Sequence, residues 1–551
     1  MGTRLNLFLA AAIAAGLATA MQPAAAATLS ATPPMGWNDW AHYQCDYTAQ
    51  TVLANAKALV ASGLAKAGYD RVTIDDCWMG RKRAADGNLQ ANPKRFPHGI
   101  APVAAEIHKL GLRFGIYEDA GSETCGGYAG SGWAKGGTDA HFKADMRLFA
   151  KWGVDYVKLD GCNVQVPKGG SVLAAYRKAY AEASAAIKAS GRPMEFLESA
   201  PAYFQGQPDW YDVLGWVGQY GQLWREGSDI ATFNRKHPDT PRFHSVLWNY
   251  AYNLPLGRYQ KPGNWNDPDF IIGGDRGMTL AETRSQVALW SMMSAPLILS
   301  LDVAKLTPAA VKVIGNAAVI RVDQDPEGRM ATLVRRTPKE DVLFKPLAGG
   351  DYAVAVLNRS AAPIDASVTL PSLGFAPAAA CTVSADDLWT GATAGDQHDL
   401  HAQVQAHDTA IWRIHPAAAC GVPTRTGAIV MTMHAQYRVP SSRNVENYGR
   451  CLAGSGVVQR CEGTPNEAWT VGAGGSLRTG NQCLAAVDGK PQLQPCADEP
   501  TQHWKYRLNG NLVNASDALC LSAEGPDGKA LPWTLKACGA NEGAQIWALP
   551  D

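Results

Sequence analysis

The sequence predicts a multidomain protein: a (β/α)8 TIM barrel, then an antiparallel β-sandwich, then a threefold repeat of short strands. Three observations carry that prediction. Between Ala31 and about Asp323, short apolar runs ending in polar or acidic residues alternate with longer segments of helical period, the pattern of repeated βα units. From about Glu327 to Pro416 the texture changes to alternating strands with turn-rich connections. Beyond that, a cysteine and tryptophan pattern recurs three times.

In chain order, residues 1–27 read as a signal peptide: Arg4 supplies a positive start, Leu7 to Ala18 an apolar and small-residue stretch, and Pro23 to Ala27 a cleavage region, with the cut near Ala27. The barrel is expected over 28–325. Its eight strand candidates are Pro34–Trp40, Asp70–Trp78, Arg113–Gly121, Asp155–Cys162, Met194–Ala200, Val217–Arg225, Asn264–Phe270 and Pro296–Asp302. Between them Thr51–Ala67, His141–Trp152, Ser171–Ser190 and Leu280–Ser294 have helical apolar spacing. The sandwich is expected over 326–416, with strands such as Val342–Pro346, Tyr352–Asn358 and Thr409–His415, followed by a linker over 417–426. The last region, 427–551, holds the repeat: Cys451-Leu452 to Cys461 then Trp469, Cys483-Leu484 to Cys496 then Trp504, and Cys520-Leu521 to Cys538 then Trp547. Units this short cannot each bury a core, so they assemble around a shared axis.

Composition excludes several classes. Lys+Arg and Asp+Glu are 50 each, so the basic stripe of a nucleic-acid binder is missing. No run approaches about 20 uninterrupted apolar residues, so no membrane span is expected. Twelve cysteines in an exported chain favour disulfides, and Cys381 and Cys420 could pair across the sandwich. With neither CxxC nor HExxH present, no metal and no dissociable cofactor is implied. Seventeen Trp is high for this length, and such rings serve as sugar platforms as well as core filler.

The chemistry gathers where the strand candidates end, at Asp75-Asp76, at Tyr117-Glu118-Asp119 and at Lys158 with Asp160. In a (β/α)8 barrel those ends form the active face. One acid there is explained equally well as a cap on the next helix, but acids ending several strands are not. Carboxylates with a Lys, an Arg and Trp, and without metal ligands, suit glycoside hydrolysis, where paired carboxyl groups serve as nucleophile and proton donor. Lys158 and Asp160 are two apart and share a strand face, where an ammonium favours the ionised form a nucleophile needs; the pair also reads as a structural ion pair. The second carboxyl must keep its proton long enough to donate it. Asp229 and Glu226, in the run Trp224 to Asp229, are both candidates, and spacing does not choose between them.

Five stretches then resemble one family in order: PPMGWNDW from Pro33 to Trp40, IDDCW from Ile74 to Trp78, YVKLDGC from Tyr156 to Cys162, WREGSD from Trp224 to Asp229, and GNWNDPD from Gly263 to Asp269. They are similar to the retaining α-galactosidases and α-N-acetylgalactosaminidases of glycoside hydrolase family 27. The resemblance implies that Asp160 is the nucleophile and Asp229 the acid/base, with Trp40, Asp75, Asp76, Tyr117, Lys158, Arg225 and Asp269 lining the glycone pocket. It also implies disulfides joining Cys45 to Cys77 and Cys125 to Cys162. The Asp75-Asp76 pair would grip the 4- and 6-hydroxyls of a galacto-configured sugar. In the loop Leu197 to Tyr203, SAPAY resembles the small-residue run of N-acetylgalactosaminidases, with Ser199 and Ala202 making room for an acetamido group. An alignment placing Glu198 on the galactosidase Glu, to hydrogen-bond a 2-hydroxyl, is the alternative.

The C-terminal region resembles a ricin-B-type β-trefoil lectin, carbohydrate-binding module family 13. Gln502-His503-Trp504 and Gln545-Ile546-Trp547 are QxW motifs, while Glu467-Ala468-Trp469 is degenerate. Where sugar-binding repeats of that family commonly carry an Asp after Cys-Leu, this chain has Ala453, Ala485 and Ser522, so a sugar-silent trefoil is as well supported as a binding one. The expectation is a secreted or periplasmic retaining exo-α-galactosidase acting on α-galactoside-bearing oligosaccharides, polysaccharides or glycoconjugates. Its alternatives are α-N-acetylgalactosaminidase, then β-L-arabinopyranosidase, and, outside enzymes, a secreted glycan-binding lectin.

Overall fold

A computed structural model describes residues 2, 29–133, 140–432, 450–525, 529–539 and 543–550; the expected signal peptide, apart from residue 2, and its cleavage site lie outside the described residues. Each of the strand candidates in the barrel contains one parallel strand: β1 (Met35–Asn38), β2 (Arg71–Ile74), β3 (Arg113–Asp119), β4 (Tyr156–Asp160), β5 (Glu195–Glu198), β6 (Leu223–Arg225), β7 (Trp265–Asp267) and β8 (Leu297–Leu299). Their order is sequential from β1 to β7, with β8 beside β1. Ile271, just past β7, closes the ring by donating to Ile298 O and accepting from Ser300 N, both at 2.8 Å.

Strand alternation sorts the side chains. Tyr156, Leu197, Leu223 and Trp265 pack together as a separate buried cluster, while the alternate residues face the outer helices. The helices Phe142–Trp152, Val172–Ala189 and Leu280–Met293 fall where periodicity placed them. The segment Thr51–Ala67 is instead two helices, Ala49–Ala61 and Leu64–Ala67, because Gly63 at φ 83° takes a left-handed conformation that stops the first.

Downstream, a six-stranded antiparallel sheet containing Glu340–Pro346, Tyr352–Asn358 and Thr409–Pro416 packs against the strand pair Ile364–Thr369 and Asp399–Val404 through Val342, Val354, Val368 and Leu400. One sandwich side chain crosses to the barrel layer. Lys345 is fully buried and donates to Ser291 O (2.8 Å), Val322 O (2.7 Å) and Ser294 Oγ (2.6 Å).

The stretch expected as a linker is not free chain. Cys420 is bonded to Cys381, Thr424 N donates to Gly374 O at 2.8 Å, and Arg425–Ala428 is a strand paired with Ala468–Val471. In the third region each repeat closes its own disulfide, Cys451–Cys461, Cys483–Cys496 and Cys520–Cys538. Each also repeats one bond to its own Cys-Leu strand: Trp469 Nε1 to Leu452 O (2.7 Å), Trp504 Nε1 to Leu484 O (2.9 Å) and Trp547 Nε1 to Leu521 O (3.0 Å). The motif glutamines Gln502 and Gln545 each accept a backbone N–H and donate to a backbone carbonyl. In the degenerate repeat Glu467 keeps the acceptor half, taking the N–H groups of Glu462 and Gly463 and the Gln459 amide, so the fold survives the change.

This trefoil is seated on the rest of the chain. The Thr432 and Tyr211 hydroxyls are 2.8 Å apart, Arg258 Nε donates to Leu508 O at 2.7 Å, and Ala428, Val430 and Ile546 belong to the same hydrophobic core as the barrel. Among the described residues all cysteines are paired and no helix is long and apolar enough to cross a membrane.

Candidate active site

At the C-terminal rim of the barrel is a pocket of about 340 Å³. Trp40, Asp75, Asp76, Tyr117, Lys158, Asp160, Ser199, Ala202, Arg225 and Asp229 all line it, from β1 to the loop after β6. The Cys125–Cys162 disulfide, Tyr203, Gly227 and Ser228 complete the wall.

Asp160 ends β4 and is partly exposed. Its Oδ1 accepts from the Tyr203 hydroxyl at 2.6 Å and from Gly161 N at 3.0 Å, and its Oδ2 from the Tyr117 hydroxyl at 3.2 Å. Lys158 is on the same face, as alternation requires, but its Nζ donates to Asp75 Oδ2 at 2.7 Å, so its direct partner is Asp75 and not Asp160. Burial would lower the Lys158 ammonium; the facing Asp75 and Asp160 carboxylates outweigh it, and its proton is held more tightly than usual.

The Asp75-Asp76 pair is braced from below. Asp75 accepts from Asn38 Nδ2 at 2.8 Å and its own N–H donates to Asp39 Oδ1 at 2.8 Å, while Asp76 Oδ2 accepts from Gly126 N at 2.7 Å. Burial raises Asp76 above the ordinary carboxylate range despite its hydrogen bonds. Asp39, buried and facing Asp75, is pushed well up, first by desolvation and then by that neighbour.

Arg225 ends β6 with Nη2 3.0 Å from both Asp229 Oδ1 and Asp269 Oδ2. Burial disfavours its charge, but Asp269, Asp229 and Asp267 overcome that and keep it firmly protonated. Asp229 itself is 71% exposed, on a segment pinned on both sides: Ser228 N and Oγ each donate to Gln205 Oε1 at 2.8 Å, and Ile230 N donates to Asp269 Oδ2 at 2.8 Å. The backbone is fixed while the carboxyl faces the pocket. Glu226, three residues earlier, is fully buried and outside the lining.

Two expected contact residues fall elsewhere. Glu198 is fully buried and outside the lining; its carboxylate faces Gly221 on the outer side of β5. The reason is the strand period, which turns Leu197 into the barrel and Glu198 out of it. Asp269 is buried behind Arg225, outside the lining, and braces that guanidinium; desolvation raises it to about 7, against the lowering effect of Arg225. Sequence reasoning missed Tyr203 as an Asp160 partner and Asn38 and Asp39 as supports of Asp75. All three lie inside motifs already quoted, so their positions were visible but not their partners. The implied disulfides Cys45–Cys77 and Cys125–Cys162 are both present.

Carboxylates delivered by several strands into a space for about one sugar ring, fenced by cations and tyrosines, make this a glycoside hydrolase site. The comparisons give the particular family. A family model described as alpha galactosidase A matches residues 32–325, one described as the alpha galactosidase C-terminal beta sandwich domain matches 338–414, and one described as a ricin-type beta-trefoil lectin domain matches 443–547. The chain belongs to the alpha-galactosidase A family, glycoside hydrolase family 27. Alpha-galactosidase A of Aspergillus niger is 36% identical over 532 residues, covering 95% of this chain and 92% of the relative; an alpha-galactosidase of Oryza sativa is 35% identical over 388 residues, covering 70% and 86%. Among solved structures, alpha-galactosidase I from Mortierella vinacea superposes with a TM-score of 0.62 at 29% identity, covering 71% of this chain and 98% of that one.

Proposed function

We propose that the protein is a retaining exo-α-galactosidase that removes terminal α-D-galactosyl groups by double displacement. Asp160 attacks the anomeric carbon and forms a covalent glycosyl-enzyme, Asp229 protonates the departing oxygen, and the Asp229 carboxylate then draws a proton from the water that releases the sugar. The observation that carries the reading is the placement of Asp160 and Asp229 in one pocket, each with its own support: tyrosine hydroxyls for the nucleophile, Arg225 and two backbone anchors for the acid/base. Asp75 and Asp76 supply rigid acceptors for ring hydroxyls, and Lys158 donates from beside them.

A second reading has one specific observation behind it. Ser199 and Ala202 line the pocket and Glu198 does not, so the wall expected near the 2-position is built of small side chains, as an N-acetylgalactosaminidase would need. Initial rates of the purified protein on aryl α-D-galactopyranoside and aryl α-N-acetyl-D-galactosaminide decide between them. A dominant galactoside rate supports the first reading, and a dominant acetamido-sugar rate replaces it with the second. The substrates in nature are then α-galactoside-bearing glycans, with the trefoil as an accessory glycan-binding surface. Residues 1–27 are read as the leader that exports the chain, and six disulfides fit an oxidising compartment outside the cytoplasm.

A further inference from the structure

One glutamine ties together the two segments that carry the proposed catalytic pair. After β5 the chain forms a tight turn, Ala200–Phe204, whose Tyr203 hydroxyl donates to Asp160 Oδ1 at 2.6 Å. Two residues further on, Gln205 reaches the loop after β6: its Oε1 accepts from Ser228 N and from Ser228 Oγ, each at 2.8 Å, one residue before Asp229. Trp210 Nε1 adds a second tie between the same two segments, donating to Glu226 O at 2.8 Å.

Ser228 is gripped on every polar group it has. Its carbonyl accepts from Asn249 Nδ2 at 3.1 Å and from the Tyr252 hydroxyl at 3.2 Å, which leaves its N–H and hydroxyl to Gln205. Of these partners, Gln205 alone belongs to the segment that touches Asp160. The contact is tight as well as polar. A Cβ on Gly227, which lines the pocket, would come within 2.5 Å of the Gln205 amide carbon and nitrogen, so the amide lies directly against the main chain of the loop. Gln205 Nε2 is buried without a hydrogen-bond partner among the described residues, so the carbonyl oxygen carries the contact.

We propose that Gln205 is a positioning residue for Asp229, setting where that carboxyl stands relative to Asp160. The inference rests on the roles proposed above for the two carboxyls. In a retaining glycosidase they stand about 5–5.5 Å apart, because one attacks the anomeric carbon while the other protonates the oxygen leaving it. A misplacement of about 1 Å costs on the order of 100-fold in rate. Asp229 is 71% exposed and carries its carboxyl one methylene from the main chain, so the path of Gly227 and Ser228 decides where the carboxyl lies. Arg225 answers its charge, and Gln205 fixes its backbone. Gln205 is itself outside the pocket lining and acts through Ser228, not on the substrate.

The test uses the full-length protein and two α-glycosides of whichever sugar it hydrolyses faster, galactose or N-acetylgalactosamine. The methyl glycoside leaves only with a proton, whereas the dinitrophenyl glycoside leaves unaided, so their kcat/KM ratio reads the acid step. Gln205→Met keeps the length of the side chain and removes the acceptor; Gln205→Glu keeps an acceptor at the same reach. Thermal melts confirm that each variant is folded. Gln205→Met is expected to lower the methyl-to-dinitrophenyl ratio about tenfold or more, with the dinitrophenyl value within about threefold of the parent. Gln205→Glu is expected to bring the ratio back to within about threefold of the parent. Equal losses on both substrates would make Gln205 a support of the fold only and overturn the proposal, as would an unchanged ratio in Gln205→Met or a Gln205→Glu as impaired as Gln205→Met. Asp229→Ala, measured alongside, separates the two levels. If it keeps the parent ratio, the acid/base reading fails and this proposal with it; if it loses the ratio while Gln205→Met keeps it, this proposal alone fails. A parent that hydrolyses neither sugar's glycosides overturns both.

Discussion

The Tyr203 hydroxyl donates to Asp160 Oδ1 at 2.6 Å, from a turn that also places Ala202 in the pocket wall. A hydrogen bond to a charged group contributes about 1.5–3 kcal/mol, which is about 10- to 100-fold in rate if it holds the attacking oxygen in line. Tyr203→Phe is expected to lower kcat/KM on aryl α-galactoside by that factor with an unchanged melting temperature. A variant as active as the parent would show that Tyr117 and Gly161 suffice.

Removing Asp229 separates the two halves of the reaction. Asp229→Ala is expected to reduce turnover by about 100- to 10,000-fold on substrates that need a proton on departure, the range of general acid–base catalysis. With an aryl galactoside whose phenolate leaves unaided, glycosylation continues and a covalent adduct on Asp160 accumulates, detectable by peptide mass spectrometry. No adduct, or an adduct on another residue, removes Asp160 from its proposed role.

Breaking the Cys125–Cys162 disulfide tests stability and function together. The two are 37 residues apart, and closing a loop of that length stabilises by about 4 kcal/mol in the chain-entropy model. Cys125 Sγ also packs 3.5 Å from Asp160 Oδ2, and Cys162 Sγ lies 3.1 Å from the Tyr203 hydroxyl. The double Cys→Ala variant is expected to melt earlier and to lose kcat even well below its melting point; full retention of kcat would make the bridge a staple only.

Lys345 gives a pH signature outside the active site. Burial pushes its ammonium down to about 8 from 10.5, although Asp323 and Asp325 oppose the shift. Between those values the unfolded chain binds the proton and the folded chain does not, so stability rises as pH increases from about 8 to about 10.5. Below that window the buried charge costs stability throughout. Urea midpoints of the parent and of Lys345→Met, taken across pH 7–11, should differ in slope over this window, and parallel curves would refute the assignment.

The strands were legible because each apolar run ends in the polar residues that line the rim, so the candidate Asp155–Cys162, which contains β4 (Tyr156–Asp160), could be picked out before its neighbours were known. Partner choice was not legible. Lys158 shares a face with Asp160, but Asp75 arrives from β2, two strands away in the ring, and captures the ammonium. Glu198 was misplaced for a related reason: in a four-residue strand one step of register decides between lumen and helix layer, and the pairing of Leu197 with Lys158 and Leu223 sets that step. The Glu467 repeat shows the opposite case, where a broken motif keeps its fold because the carboxylate still accepts the Glu462 and Gly463 N–H groups and takes the Gln459 amide as well.

The seat between trefoil and barrel turns the accessory module into a fixed ruler. Joined through Tyr211, Arg258 and a common core, it is seated against the barrel, and these contacts set where its surface lies relative to Asp160. A flexible tether would raise local concentration for branches at many spacings, whereas a stiff one favours only those that match its span. If the trefoil holds glycan as proposed, a chain of this kind acting on a polymer decorated at intervals would harvest branches in a preferred rhythm set by its own dimensions.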